Sequence, residues 1–425
     1  MNNYLINLAS LLIASIPLLL MTGPLLPELS LFLLIILFFY LSSYKEKKIF
    51  LTSLYFKIFL IFWIILILIS LINLNLTSFY KSFSYLRFGL FFISIQYFVT
   101  KNDKIYKYIF ISLAAIITFL FFDGMYQFIY KINLFDMVSI DYPRISSVFG
   151  EELVMGSFTS RFLPIFLSCY YFYYSKVSKL KFFTFLLFIL SLVIITISGE
   201  RMSIIFAIFV CVYSFIFIIN KSKLNIMISS ILILFFSLII FLNNDLKIRI
   251  INQTFDEMGL SNDKSYQNNF AVEDPIFNGI YLVSPAHQSY YKTAFNMFKN
   301  KPLTGHGIKS FRIKCSDKKY SVNKESCSTH PHNTYIQLLA ETGIFTFIIV
   351  FSIFLILIKN LILNLFNKKF ISKYELCLMC SVLITIWPLA TTGSFYNNWL
   401  SIIYFFPLGL FKNKITNTEA NRLNV

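Results

Sequence analysis

LYFKIFLIFWIILILISLINLNL, residues 54–76, carries one charged side chain, Lys57, in an otherwise apolar run. Wound as an α-helix at about 1.5 Å per residue, some 20 such residues cross the ~30 Å hydrocarbon core of a bilayer. A helix in lipid satisfies all of its backbone N–H and C=O groups internally, so this stretch decides the fold class: an all-α integral membrane protein. Comparable runs lie near 6–21, 25–43, 83–100, 108–130, 153–174, 182–198, 202–219, 225–242, 336–358, 374–391 and 397–411. With 54–76 they predict about 12 transmembrane helices.

Composition agrees. The chain is 57% hydrophobic and 19% aromatic, with mean hydropathy +0.71 and only 13% charged residues, where a soluble domain carries about 25%. The formal charge of +17 does not predict a nucleic-acid partner, because Lys and Arg fall in short clusters between apolar runs and act there as topology signals. Alternate connections contain Lys45, Lys47, Lys48; Lys101, Lys104, Lys107; Lys176, Lys179, Lys181; Lys221, Lys223; Lys359, Lys368, Lys369, Lys373; and Lys412, Lys414, Arg422. The other short connections hold only Lys81, Lys131, Arg144 and Arg201, an asymmetry that predicts cytoplasmic termini. The first apolar run lacks a basic flank and a small-residue cleavage site, so it reads as a retained helix rather than a signal peptide.

The expected organisation is 1–242 for helices one to nine, one large polar loop over 243–335 on the non-cytoplasmic side, and 336–425 for the last three helices and tail. All four histidines, His287, His306, His330 and His332, lie in that loop. So do Cys315 and Cys327, which are expected to form a disulfide in an oxidising compartment, closing a loop worth on the order of 3 kcal/mol. Cys377 and Cys380 look like a CxxC pair but sit in an apolar helix without neighbouring ligands, and read as packing.

Within the loop, Ser284-Pro285 is a helix start, cap followed by first-turn proline, and Pro302 ends that helix. PLTGHGIKSF follows, with Gly305 and Gly307 allowing a tight turn. A second start is read at Pro331, which puts His332 and Asn333 in the first turn of the next helix. The positive end of the helix dipole there favours a neutral imidazole, the form a general base must have. Asn333, Gln337 and Glu341 then recur at i, i+4 and i+8, so polar groups on one face continue into the apolar stretch. Such groups face a water-filled cavity or the bundle interior, and beside the histidines the cavity is the expectation.

Arg87, Asp123, Glu200 and Arg201 fall toward the outer ends of their predicted helices, with Arg161 somewhat deeper. Guanidinium forks suit phosphate oxygens, so Arg201, Arg87 and Arg161 are candidate diphosphate ligands. Glu200 would orient or neutralise its neighbour Arg201.

Several segments together resemble the O-antigen ligase and O-antigen polymerase family of polytopic transferases: DGMYQFIYKINLFD (123–136), RISSVFGEELVMGSF (144–158), SGERMSII (198–205), YYKTAFNMFKNKPLTGHGIKSF (290–311) and HPHNTYIQLLAETGI (330–344). The resemblance implies a multi-pass enzyme of the bacterial inner membrane with a periplasmic loop containing short helices. It also implies a glycosyltransferase, independent of metal and cofactor, whose partners are an undecaprenyl-diphosphate-linked glycan, membrane lipid and, for a ligase, a lipid A-core acceptor. By the same resemblance Arg201 grips the diphosphate, and His332, with His330 in support, acts on the acceptor hydroxyl. Where the family commonly has a second arginine this chain has His287, so that contact would fall to a protonated His287 or to Lys292. An HxH pair without a third His or a carboxylate at ligand spacing is no zinc signature. Ligase is the first expectation and polymerase the alternative. A secondary transporter, the reading from another class, would place its charges and broken helices near the bilayer midplane in repeated halves.

Overall fold

The computed structural model describes residues 2–219, 236, 238–260, 280–324 and 326–412. Helices account for the regular structure of the described residues, which otherwise contain one isolated bridge, Ile132 to Val138. In chain order they are α1 (Asn2–Leu19), α2 (Leu25–Leu41), α3 (Tyr44–Leu51), α4 (Leu54–Ile72), α5 (Leu76–Ser84), α6 (Leu86–Lys101), α7 (Lys104–Tyr130), α8 (Met155–Cys169), α9 (Ser178–Ile197), α10 (Arg201–Phe217), α11 (Asn244–Lys247), α12 (Gln253–Glu257), α13 (Pro285–Asn300), α14 (Phe311–Lys314), α15 (Thr334–Leu365), α16 (Lys373–Thr385) and α17 (Asn398–Leu410).

Among the described residues five helices, α1, α4, α7, α9 and α15, are long and apolar enough to cross a membrane, and α2, α10 and α17 are shorter apolar helices. The predicted run near 225–242 falls largely outside the described residues. Several predicted spans are interrupted. The run near 83–100 is α6 preceded by the separate amphipathic α5, whose start is capped by the Asn75 side chain accepting from Ser78 N at 3.0 Å. The run near 153–174 is α8 continued by a wider turn over Tyr170–Tyr174.

Packing is by apolar stripes: α16 against α8, α17 against α6, α1 against α7, and α7 against α9. In α4, Phe59, Phe62, Leu66 and Ile69 are buried while Ile61, Ile64, Leu68 and Leu71 remain about half exposed, as on a helix with one face toward lipid.

The feature that positions the site is a break in α15 at Gly343, whose φ of 72° and ψ of −172° are non-helical. The carbonyls freed just before the break accept from the preceding loop: His306 N to Ala340 O at 3.2 Å and Gly307 N to Glu341 O at 2.7 Å. In return Ile344 N donates to Pro302 O at 2.9 Å. The loop is held from its other side by Asn73 Nδ2 to Gly305 O at 3.3 Å and by Ile308 N to Ser78 Oγ at 2.8 Å. Helix α13 packs against α15 through this junction. A Cβ at Gly343 would overlap the Leu303 carbonyl while the backbone sits in the left-handed region. Gly343→Ala is therefore expected to destabilise the protein by roughly 2–5 kcal/mol, the sum of the left-handed penalty and overpacking, read as a lowered thermal midpoint in detergent.

Candidate functional site

Three imidazoles gather at the N-terminal end of α15. His287 lies in the first turn of α13, where Ser284 caps the helix: its Oγ accepts from His287 N at 3.3 Å and meets the ring Nδ1 at 2.7 Å. The His332 ring is 5.4 Å from that of His287 and 4.1 Å from that of His330, and the Tyr290 ring is 5.6 Å away.

The two histidines of the HPH stretch differ in what they can do. The Nε2 of buried His330 meets the Thr392 carbonyl at 3.1 Å. A carbonyl only accepts, so that nitrogen carries the proton. Its Nδ1 then accepts from the Thr329 hydroxyl at 2.8 Å, and both ring nitrogens are committed. His332 is half-buried, with Nε2 3.0 Å from Ser328 Oγ. Helix α15 starts at Thr334 with Asn333 as its cap, accepting from Tyr335 N at 3.0 Å and Ile336 N at 3.1 Å. Contrary to the sequence reading, His332 thus precedes the cap instead of lying in the first turn. Its φ is +59°, a left-handed conformation uncommon outside glycine and costing on the order of 1–3 kcal/mol. It is held there by Thr392 N donating to His332 O at 2.9 Å and by Asn333 Nδ2 donating to Pro388 O at 2.7 Å.

Burial keeps all four histidines neutral: it lowers His287, His306 and His330 to about 4, and His332 to below the usual histidine value. His287 is therefore no substitute cation for the family arginine. A histidine whose folded pKa lies below its unfolded value contributes stability that is fully present above about 6.5 and lost as pH falls toward the folded value. The thermal midpoint is accordingly expected to hold from pH 8 to 7 and to drop between about pH 6.5 and 4. If His332 is the base, the acid limb of the rate profile falls below 6.5 as well.

Arg201, the first residue of α10, has its fork filled by Glu257 of α12: Nη1 to Oε2 at 2.7 Å and Nη2 to Oε1 at 2.6 Å. This pair is within electrostatic reach of His287, whose ring in turn lies 5.4 Å from that of His332. Glu200 does not orient Arg201. It caps α8, accepting from Gly156 N at 2.6 Å and Ser157 N at 3.2 Å.

The other charged candidates sit in contacts of their own. Arg87 reaches Glu28 at 2.9 and 3.1 Å, Ser84 O at 2.6 Å and Asn398 Oδ1 at 2.9 Å, tying α2, α6 and α17 together. Arg161 is buried, donates to Ser157 O at 3.1 Å and lies 4.9 Å over the Phe206 ring. Asp123 organises the loop after α7 by accepting from Leu134 N at 2.8 Å and from the Ser147 hydroxyl.

The polar face of α15 binds neighbouring backbone and side chains. Gln337 donates to Glu341 and to Ser394 Oγ at 2.9 Å each and accepts from Phe395 N at 2.9 Å. Glu341 also accepts from Phe311 N at 3.0 Å. These side chains, expected to line a cavity, instead fasten the 388–395 and 305–311 segments onto the start of α15. A cavity of about 260 Å³ opens beside them between α13 and α15, lined by Leu282, Val283, Tyr291, Phe295, Ile336 and Leu339 among others. Cys315 and Cys327 are bonded, with Cα atoms 5.1 Å apart. Among the described residues no group of three or more His, Cys, Asp or Glu side chains is placed to hold a metal ion.

Glu257, Ser328 and Thr392 escaped the sequence reading. Ser328, four residues before His332, is a local signal that was available. Glu257 and Thr392 reach the site from 56 residues beyond Arg201 and 62 beyond His330, where no spacing rule points.

Residues 186–351 match the family model described as O-antigen ligase. That stretch, under half of the chain, is similar to the O-antigen ligase family. No curated protein matches it. The O-antigen ligase match takes in Arg201, Glu257, His287, His330 and His332, so the convergence described above falls inside the matched domain. Proteins of this family are glycosyltransferase-like enzymes of O-antigen processing in lipopolysaccharide biosynthesis, with lipid-linked glycans as substrates. The apolar helices make this chain a multi-pass membrane protein.

Proposed function

We propose that this protein is an O-antigen ligase of the bacterial inner membrane, transferring a glycan from undecaprenyl diphosphate to a lipid A-core sugar hydroxyl on the periplasmic face, without metal or cofactor. The observation that carries the reading is half-buried, neutral His332 lying against His287, which is itself within electrostatic reach of the Arg201 fork.

In the proposed step the acceptor hydroxyl attacks the anomeric carbon of the donor. A new C–O bond forms, the bond from that carbon to the phosphate oxygen breaks with inversion, and the electron pair leaves with the lipid diphosphate. His332 takes the hydroxyl proton: in the tautomer whose Nε2–H donates to Ser328 Oγ, 3.0 Å away, the lone pair lies on Nδ1. His330 is a positioning residue, fixed to Thr392 and packed against the His332 ring. Arg201 stabilises the charge growing on the leaving diphosphate. Arg87 and Arg161, each engaged elsewhere, hold the bundle that presents Arg201.

The experiment is a deletion strain. A ligase mutant leaves the lipid A core bare while lipid-linked O-antigen accumulates. A core carrying a single repeat unit would instead assign the protein as the polymerase, which shares the same donor chemistry.

A further inference from the structure

Arg201 does not stand alone. Arg144, in the loop between α7 and α8, packs across the turn before α10: Ile145 N donates to Ser198 O at 3.3 Å, and a Cβ on Gly199 would lie 3.3 Å from Arg144 Cγ. The same loop is tied to the α11–α12 segment by Tyr142 Oη donating to Asp245 Oδ2 at 2.7 Å. From that segment Arg249 donates to Gln253 Oε1 at 2.8 Å, one helical turn before Glu257. Burial and the nearby charges of Arg201 and Arg144 depress the Arg249 guanidinium, against Asp141 and Glu257, so the three arginines share one field. The Nε–H groups of Arg144 and Arg249 are buried and have no partner among the described residues. Arg144 is otherwise held by Asp141 at 3.4 Å and Leu153 O at 3.3 Å, both long for a charge-assisted bond. Buried N–H donors left unmade are costly unless a ligand uses them.

We propose that Arg144 and Arg249 complete, with Arg201, a three-guanidinium clamp for a diphosphate ester, and that Glu257 occupies the clamp as a resident carboxylate until the diphosphate displaces it. The clamp rests on the donor reading given above and adds to it where the second phosphate goes. His287, neutral in the unliganded protein, brings no charge to that phosphate. Glu257 meets Arg201 through two parallel N–H···O bonds, the geometry a phosphate also accepts. Binding then exchanges one anion for another at Arg201, while the Nε–H donors of Arg144 and Arg249 gain partners that no described residue supplies. The net gain comes from those two residues.

The test is direct binding of geranylgeranyl diphosphate to the full-length protein in nanodiscs, with inorganic pyrophosphate in parallel. Arg144→Gln and Arg249→Gln are each expected to weaken binding about tenfold or more, and Glu257→Gln to tighten it roughly threefold to tenfold. Arg249→Lys, which keeps the charge and is checked for monodispersity, is expected to recover part of the loss and separates lost contact from lost folding. Binding within twofold of wild type in both Gln variants, while Arg201→Gln loses it, would overturn the clamp and leave the donor reading standing. An unchanged Glu257→Gln would overturn the resident carboxylate. If neither wild type nor Glu257→Gln binds either probe, the donor reading fails along with the clamp.

Discussion

His332→Asn is expected to lower glycan transfer about 10²–10⁴-fold, the range for removing a positioned general base, with binding of the lipid diphosphate left within about twofold of wild type. Asparagine is the informative replacement because residue 332 sits at φ +59°, where Asn is tolerated and Ala is strained. His332→Ala mixes loss of the base with loss of backbone geometry. If His332→Asn retains transfer at wild-type levels, the base lies elsewhere. Ser328→Ala serves as a milder probe: it leaves the ring in place but frees Nε2, and the expected signature is a smaller rate loss with an altered pH profile.

The second large effect is at Arg201. Arg201→Lys keeps the charge but cannot form two parallel bonds, to Glu257 or to a phosphate. Transfer is expected to fall about 10²–10³-fold, as when one preorganised donor to a developing anion is removed. A purely structural arginine would show a different pattern, because its role would end at the ion pair with Glu257, which a lysine can keep as a single charged contact. Lysine would then preserve most of both stability and rate. Measuring thermal midpoint and transfer rate on the same preparation separates the two.

The helices were legible because length and apolarity identify a span without reference to any neighbour. What could not be read is where such a span is interrupted. Gly343 looked like any glycine in an apolar helix, and its break depends on Leu303, Thr304 and His306 arriving from the other side. Because of that break, Gln337 and Glu341 belong to a short helical segment anchored by loops, and the polar stripe no longer calls for a cavity. His332 was legible from HPHN and its neighbours, but its left-handed backbone was not, since Thr392 imposes it from 60 residues downstream. Ser284 was legible as a cap because that signal is local. Arg201 was found from its position between two apolar runs, whereas its carboxylate partner lay in a polar stretch with no pattern.

The interlock at Gly343 also sets the unit in which this protein can be recombined. Two chain segments share their backbone hydrogen bonds there, 302–307 and 340–344, and the helices leading into them bring the His287 and His332 rings to 5.4 Å at their other end. A chimera that exchanges only the first segment with a related protein would need the incoming N–H groups and carbonyl to match a break in the recipient's helix. Grafting 284–344 as a single cassette carries both halves of the junction, the disulfide between Cys315 and Cys327 and the three-histidine cluster together. Acceptor specificity is therefore expected to move between homologues with that cassette as a block.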